Sequence, residues 1–197
     1  MSISFDKVSN GDMNFYELSK SVSVADLKEA VNKSIDHLLG AIDGLPDAFI
    51  TFEPVDPEAD DPYAVEGEEK IGWTIGHIIV HVTASAEEGA AMSSQLARGI
   101  EVKLRNRYET PWQEMTTQEQ CVQRLEESRR MRLGFLETWP DTPHLDVFRK
   151  ISQEFEDKFG PLNAPAMFLF SHSHELGHYT QIEDVIEQAK ASLGLNA

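Results

Sequence analysis

His174 and His178 stand four residues apart in the run His172-Ser173-His174-Glu175-Leu176-Gly177-His178-Tyr179-Thr180-Gln181. On a helix that spacing sets two imidazoles on one face, one turn apart. His77 and His81 repeat it far upstream, so four of the seven histidines form two matched pairs. Imidazole nitrogen binds zinc, nickel, iron and related divalent ions. A catalytic ion of this kind takes three protein ligands and keeps a position open for water or substrate. A single helical histidine is more often packed or solvated than a ligand. Two such pairs on separate helices make a metal site the leading reading.

The surroundings of each pair suggest further roles. On one helix face lie His174, His178, Gln181 and Val185, beside an apolar stripe of Tyr179, Ile182, Ile186 and Ala189. The pair thus sits at the edge of a buried face, as ligands projecting into a bundle interior do. His77 and His81 are flanked on their face by Thr74, Ser85 and Glu88, and either histidine can supply a third ligand. Glu175 and Glu88 are candidate bases, although each reads more readily as a surface helix acid. Gln181 can hydrogen-bond a ligand. Arg129 and Arg132 are candidate anchors for an anionic cosubstrate, or simply a solvated basic face. Cys121 reads as a packed core residue rather than a nucleophile. His172 points away from His174 by the helical period, and His37 and His144 read as surface or loop residues. Gly177, inside a helix, costs about 1 kcal/mol relative to Ala; it either permits a close helix contact or leaves room beside an ion. His174-Glu175-x-x-His178 also fits the H-E-x-x-H pattern of zinc proteases. The third downstream ligand of the extended pattern is missing, and no strand is evident to hold a peptide.

Four amphipathic segments must position these residues. Ser23 and Asp26 form a capping-box start, followed by Leu27, Val31, Ile35, Leu38 and Ile42 at helical spacing; Gly44 and Pro46 end this helix. Thr74 caps a second helix striped by Ile75, Ile78, Ile79, Val82 and Ala86, running to about Arg98. Thr116 and Glu119 open a third, with Cys121, Val122, Leu125, Phe135 and Leu136, ending near Trp139-Pro140. Asn163 caps a fourth, with Pro165 in its first turn, continuous to about Leu193. Residues 1–22 read as an irregular arm, and 144–158 as a short extra helix before helix four. Residues 51–70 hold three prolines and eight acids against one base. They read first as a long, solvated, mobile acidic loop and second as a lid over a site, without the residue spacing of a calcium loop. The predicted fold is all-α, an antiparallel four-helix bundle with long connecting loops, in a single domain over 1–197.

Bulk properties narrow the partners. Seventeen basic and 34 acidic residues give a formal charge of −17, with a pI near 4.7. That field repels phosphates and anionic lipid, so neither nucleic acid nor membrane is an expected partner. Apolar runs are too short for a membrane span, and the N-terminal residues lack the pattern of a signal peptide. One cysteine permits no intramolecular disulfide. A cytoplasmic protein acting on a small molecule is expected.

Two segments carry a family resemblance. Trp73-Thr74-Ile75-Gly76-His77-Ile78-Ile79-Val80-His81 resembles the Trp-Ser/Thr-x-x-Glu-x-x-x-His opening of helix two in the DinB/YfiT-like metalloenzyme family. His174-Glu175-Leu176-Gly177-His178-Tyr179-Thr180-Gln181-Ile182 resembles that family's His-x-x-x-His-x-x-Gln-Ile stretch on the last helix. Their order and separation agree as well, so the resemblance spans residues 20–193. It implies His81, His174 and His178 as metal ligands. His77 stands where the family often has Glu, a departure that leaves it open as an additional ligand, a supporting partner or a cap. The resemblance further implies an up-down-down-up bundle, often a homodimer. Some members resemble thiol S-transferases or thiol-dependent isomerases, in which the metal activates a low-molecular-weight thiol. The expectation is therefore a metal-dependent transferase or hydrolase with zinc or nickel, and iron, copper or manganese as alternatives. The competing readings are a non-catalytic metal-binding or stress-related binding protein with a structural ion, and a bundle without metal.

Overall fold

The computed structural model describes residues 3–60, 64, 66–102 and 110–194; part of the acidic loop (61–63 and 65) lies outside them. The described residues form helices and no strand: α1 (Asp6–Ser9), α2 (Phe15–Ser19), α3 (Val24–Ile42), α4 (Asp47–Ile50), α5 (Ile75–Ala97), α6 (Gln118–Glu137), α7 (Gln153–Phe159), α8 (Ala164–Gly177) and α9 (Tyr179–Leu193). A 3-10 turn, Trp112–Glu114, precedes α6. Among the described residues no helix is long and apolar enough to cross a membrane.

Side-chain caps set where the long helices begin. Ser23 and Asp26 exchange hydrogen bonds at the head of α3. The Ser23 hydroxyl and N–H hold the Asp26 carboxyl below its usual range. Thr74 accepts from the His77 N–H at 3.1 Å to open α5, and Asn163 accepts from the Ala166 N–H at 3.2 Å to open α8. For α6 the box is Thr117 with Gln120, one residue later than the expected Thr116 and Glu119. Thr117 takes the extended backbone a cap needs, and the Gln120 carboxamide reaches the N–H of both threonines.

Three expectations are corrected. The arm at 1–22 is not irregular throughout: α1 and α2 lie there, and Asn14 closes a capping box that seats Phe15 in the core. The extra helix is shorter than 144–158, since winding starts only after Ser152 caps α7. Before it, the His144 N–H donates to Ala97 and the Arg149 N–H to Leu162, which spends those groups outside a helix. The predicted fourth helix is two helices, α8 and α9, joined at His178.

α5 packs most extensively on α8 and then on α6, and α3 packs on α6. The α5–α8 contact is close because Gly89 has no Cβ; one there would run into the Ser171 hydroxyl. Apolar side chains form two clusters. One joins Ile35, Leu38, Ile42, Ile75, Ile78, Ile79, Val82, Cys121, Leu125, Ile182 and Val185. The other joins Phe15, Leu27, Val31, Ala90, Leu96, Leu136, Met167, Phe168 and Leu169. Between them along the chain lie buried polar residues of four helices: Ser34 of α3, Glu87 of α5, Ser128 and Arg132 of α6, His172 and Glu175 of α8. Two ion pairs bind this layer: Arg132–Glu175 at 2.5 Å and Arg124–Glu87 at 2.7 Å.

Candidate metal centre

The second turn of α5 carries His81, the last turn of α8 carries His174, and the joint between α8 and α9 carries His178. One ligand atom from each lies within 4.8 Å of the other two. His81 Nε2 and His174 Nε2 stand 2.9 Å apart. The three rings meet edge to face, with centroids 4.8 to 5.2 Å apart. His178 has φ −93° and ψ −2°, and its N–H bonds back only three residues, to Glu175. That is a tightened turn of 3-10 type at His178 itself. The helix resumes at once, as the Ile182 N–H donates to His178 at 3.1 Å.

The donor set fits a single divalent ion. Gln181 Oε1 lies 2.7 Å from His178 Nδ1. A carboxamide oxygen only accepts, so it fixes the proton on Nδ1 and leaves the lone pair on Nε2 for an ion. Metal–imidazole bonds of about 2.0–2.1 Å put the nitrogens of a tetrahedral site about 3.3 Å apart, against 2.9 Å between His81 Nε2 and His174 Nε2 and a separation within 4.8 Å for all three. His174 is exposed and the other two are half-buried, so the nitrogens meet at a surface opening rather than inside the core.

That opening is a cavity of about 350 Å³, lined by Trp73, Ile71, His81, His174, His178 and Gln181 together with Asp56, Glu58, Ala59, Asp60 and Glu69. Residues of the acidic loop therefore share the lining of the histidine site. It is tied to α9, where Gln188 pairs with the Val55 backbone in both directions. Trp73, the residue before the α5 cap, stacks 4.5 Å from His77 and 5.8 Å from His178.

The structure separates the upstream pair. His81 joins His174 and His178; His77 is not in that group. Its ring lies between two indoles, 4.5 Å from Trp73 and 4.7 Å from Trp112, nearly parallel to the latter. Trp112 comes from the connection before α6, which helical spacing does not reveal.

Other candidates are placed away from the opening. Glu175 is not a surface acid: it is 0 % exposed, paired with Arg132 and accepting from the Ser34 hydroxyl. Glu88 is buried too, and neither acid lines the cavity. Arg132 and Arg129 form no solvated basic face. Arg132 is 1 % exposed, and Arg129 bonds Asp36 at 2.7 Å and Glu126 at 3.0 Å. Cys121 is fully buried, and burial pushes its thiol up to about 12. His172 does point elsewhere, into the polar layer and against Phe5. Burial brings its pKa down to about 4. His37 is exposed and stacks 4.1 Å from Tyr179. His144 is exposed and lies over Gly99. Gly177 makes no close contact, for a Cβ there would meet open space.

No curated protein and no solved structure matches the chain. A sequence profile described as the DinB superfamily matches residues 23–182. The match runs from the Ser23 cap of α3 past His81, His174, His178 and Gln181, most of the chain including the whole histidine site. This all-helical chain belongs to the DinB superfamily.

Proposed function

We propose that the chain is a metal-dependent enzyme acting on a small molecule, a thiol S-transferase or a hydrolase, built as an antiparallel four-helix bundle. The observation that carries this reading is the convergence of His81, His174 and His178 in the lining of one open cavity. Three neutral imidazoles suit zinc, nickel, copper and iron alike; zinc or nickel is the ion proposed, with iron, copper or manganese as alternatives. An ion held by His81, His174 and His178 would supply Lewis acidity that lowers the pKa of a bound water or low-molecular-weight thiol toward neutrality. The chain's own groups prepare the site. Gln181 holds the His178 ring and its tautomer. Trp73 covers the His81 and His178 rings. The Asp56–Asp60 segment narrows the approach from solvent.

A closed shell of four ligands would mark a structural ion or a sensor. The indole sandwich around His77 favours the open, three-ligand site instead. A homodimer and a cytoplasmic setting complete the proposal; they rest on the family and on a lone buried cysteine. A crystal structure of protein purified without a histidine tag, with anomalous scattering collected at the metal edges, tests the centre. One ion on His81, His174 and His178 with a position facing the cavity supports the enzyme reading. A fourth protein ligand closing that position overturns it.

A further inference from the structure

The acidic part of the cavity lining bears on what the site accepts, an inference that rests on the metal reading above. Asp56, Glu58, Asp60 and Glu69 line the cavity, and no lysine or arginine does so among the described residues. Lys70 offsets one of the four, at 2.8 Å from Asp60. The arginines suggested for an anionic cosubstrate are engaged elsewhere: Arg132 by Glu175, and Arg129 by Asp36 and Glu126. A cavity walled by one sign of charge concentrates the opposite sign and expels its own. We propose that this cavity selects a small cationic substrate, an amine carried on a short chain, with its ammonium toward Asp56, Glu58 and Glu69 and its reacting end toward the triad. The same lining disfavours carboxylate-bearing thiols.

The test uses thiols that share one metal-binding end and differ in charge at the other. Protein loaded with cobalt(II) is titrated with cysteamine, 2-mercaptoethanol and 3-mercaptopropionate, and binding is read from the cobalt absorption spectrum. Cysteamine is expected to bind at least about tenfold more tightly than 3-mercaptopropionate at low salt, with the neutral thiol between. Asp56→Asn/Glu58→Gln/Glu69→Gln should remove most of that ratio. Glu154→Gln/Glu156→Gln/Asp157→Asn, on exposed acids of α7 outside the cavity, should leave it intact. A ratio near one, or equal losses in both variants, overturns the proposal while leaving the metal reading standing. Absence of cobalt uptake would instead sink the metal reading. The charge selection is then read on metal-free protein, as quenching of the fluorescence lost in Trp73→Phe. With each ion scaled to its quenching of free N-acetyltryptophanamide, caesium should quench it more than iodide does, and the cavity variant should erase the difference. Equal scaled quenching by both ions overturns the proposal there as well.

Discussion

Gln181 does little by itself, yet it decides which nitrogen of His178 faces the opening. Losing such a partner leaves the ring free to rotate and to change tautomer. Gln181→Ala should weaken zinc binding by about 10–100-fold in a chelator competition, while Gln181→Glu, which keeps an acceptor, should retain most of it. Unchanged affinity in the alanine variant would count against this role. Cys121 makes the opposite point: a residue type suited to chemistry, held where it cannot react. With its thiol pushed up to about 12 by burial, the native protein should not react with an aromatic disulfide reagent at pH 8. One thiol should appear once the chain is unfolded in denaturant. The helical period made the His174–His178 pair visible in the sequence. It left His77 and His81 equivalent, because the residue that distinguishes them, Trp112, lies in a connection outside any helix pattern.

At the scale of elements, the contact between α5 and α8 brings His81 to His174 and His178. Two glycines on these helices look alike in the sequence and should respond in opposite ways. Gly89→Ala drives a methyl into Ser171, and such overpacking costs about 1–3 kcal/mol. Gly177→Ala meets open space and should stabilise by about 0.5–1 kcal/mol through helix propensity. Denaturant unfolding of both variants checks the pair, and shifts of the same sign would refute the packing assigned to Gly89. Caps placed α3, α5 and α8 within a residue of their expected starts, because Ser23, Thr74 and Asn163 offer the only local answer to unpaired N–H groups there. The joint at His178 was not legible. It is a local tightening within an otherwise unbroken apolar stripe, and periodicity does not register a single 3-10 bond.

Across the whole molecule, a polar layer divides the apolar interior into two clusters, and the Arg132–Glu175 pair lies in it, Glu175 next in sequence to His174. Glu175→Gln leaves a buried guanidinium uncompensated and should cost about 3–5 kcal/mol, whereas Arg132→Met/Glu175→Leu should recover most of that loss. Calorimetry on the two variants distinguishes the cases, and a mild Glu175→Gln effect would contradict the burial of the pair. This layer escaped the sequence reading because charged residues on a helix are usually solvated. Only the assembled packing shows that these are enclosed. The central claim is that His81, His174 and His178 together hold one divalent ion. It is tested most directly by elemental analysis of protein purified without a histidine tag, alongside His81→Ala/His174→Ala. The account predicts close to one equivalent of zinc or nickel in the native protein and almost none in the variant. Less than about a tenth of an equivalent in the native protein, or equal content in the two, would contradict it.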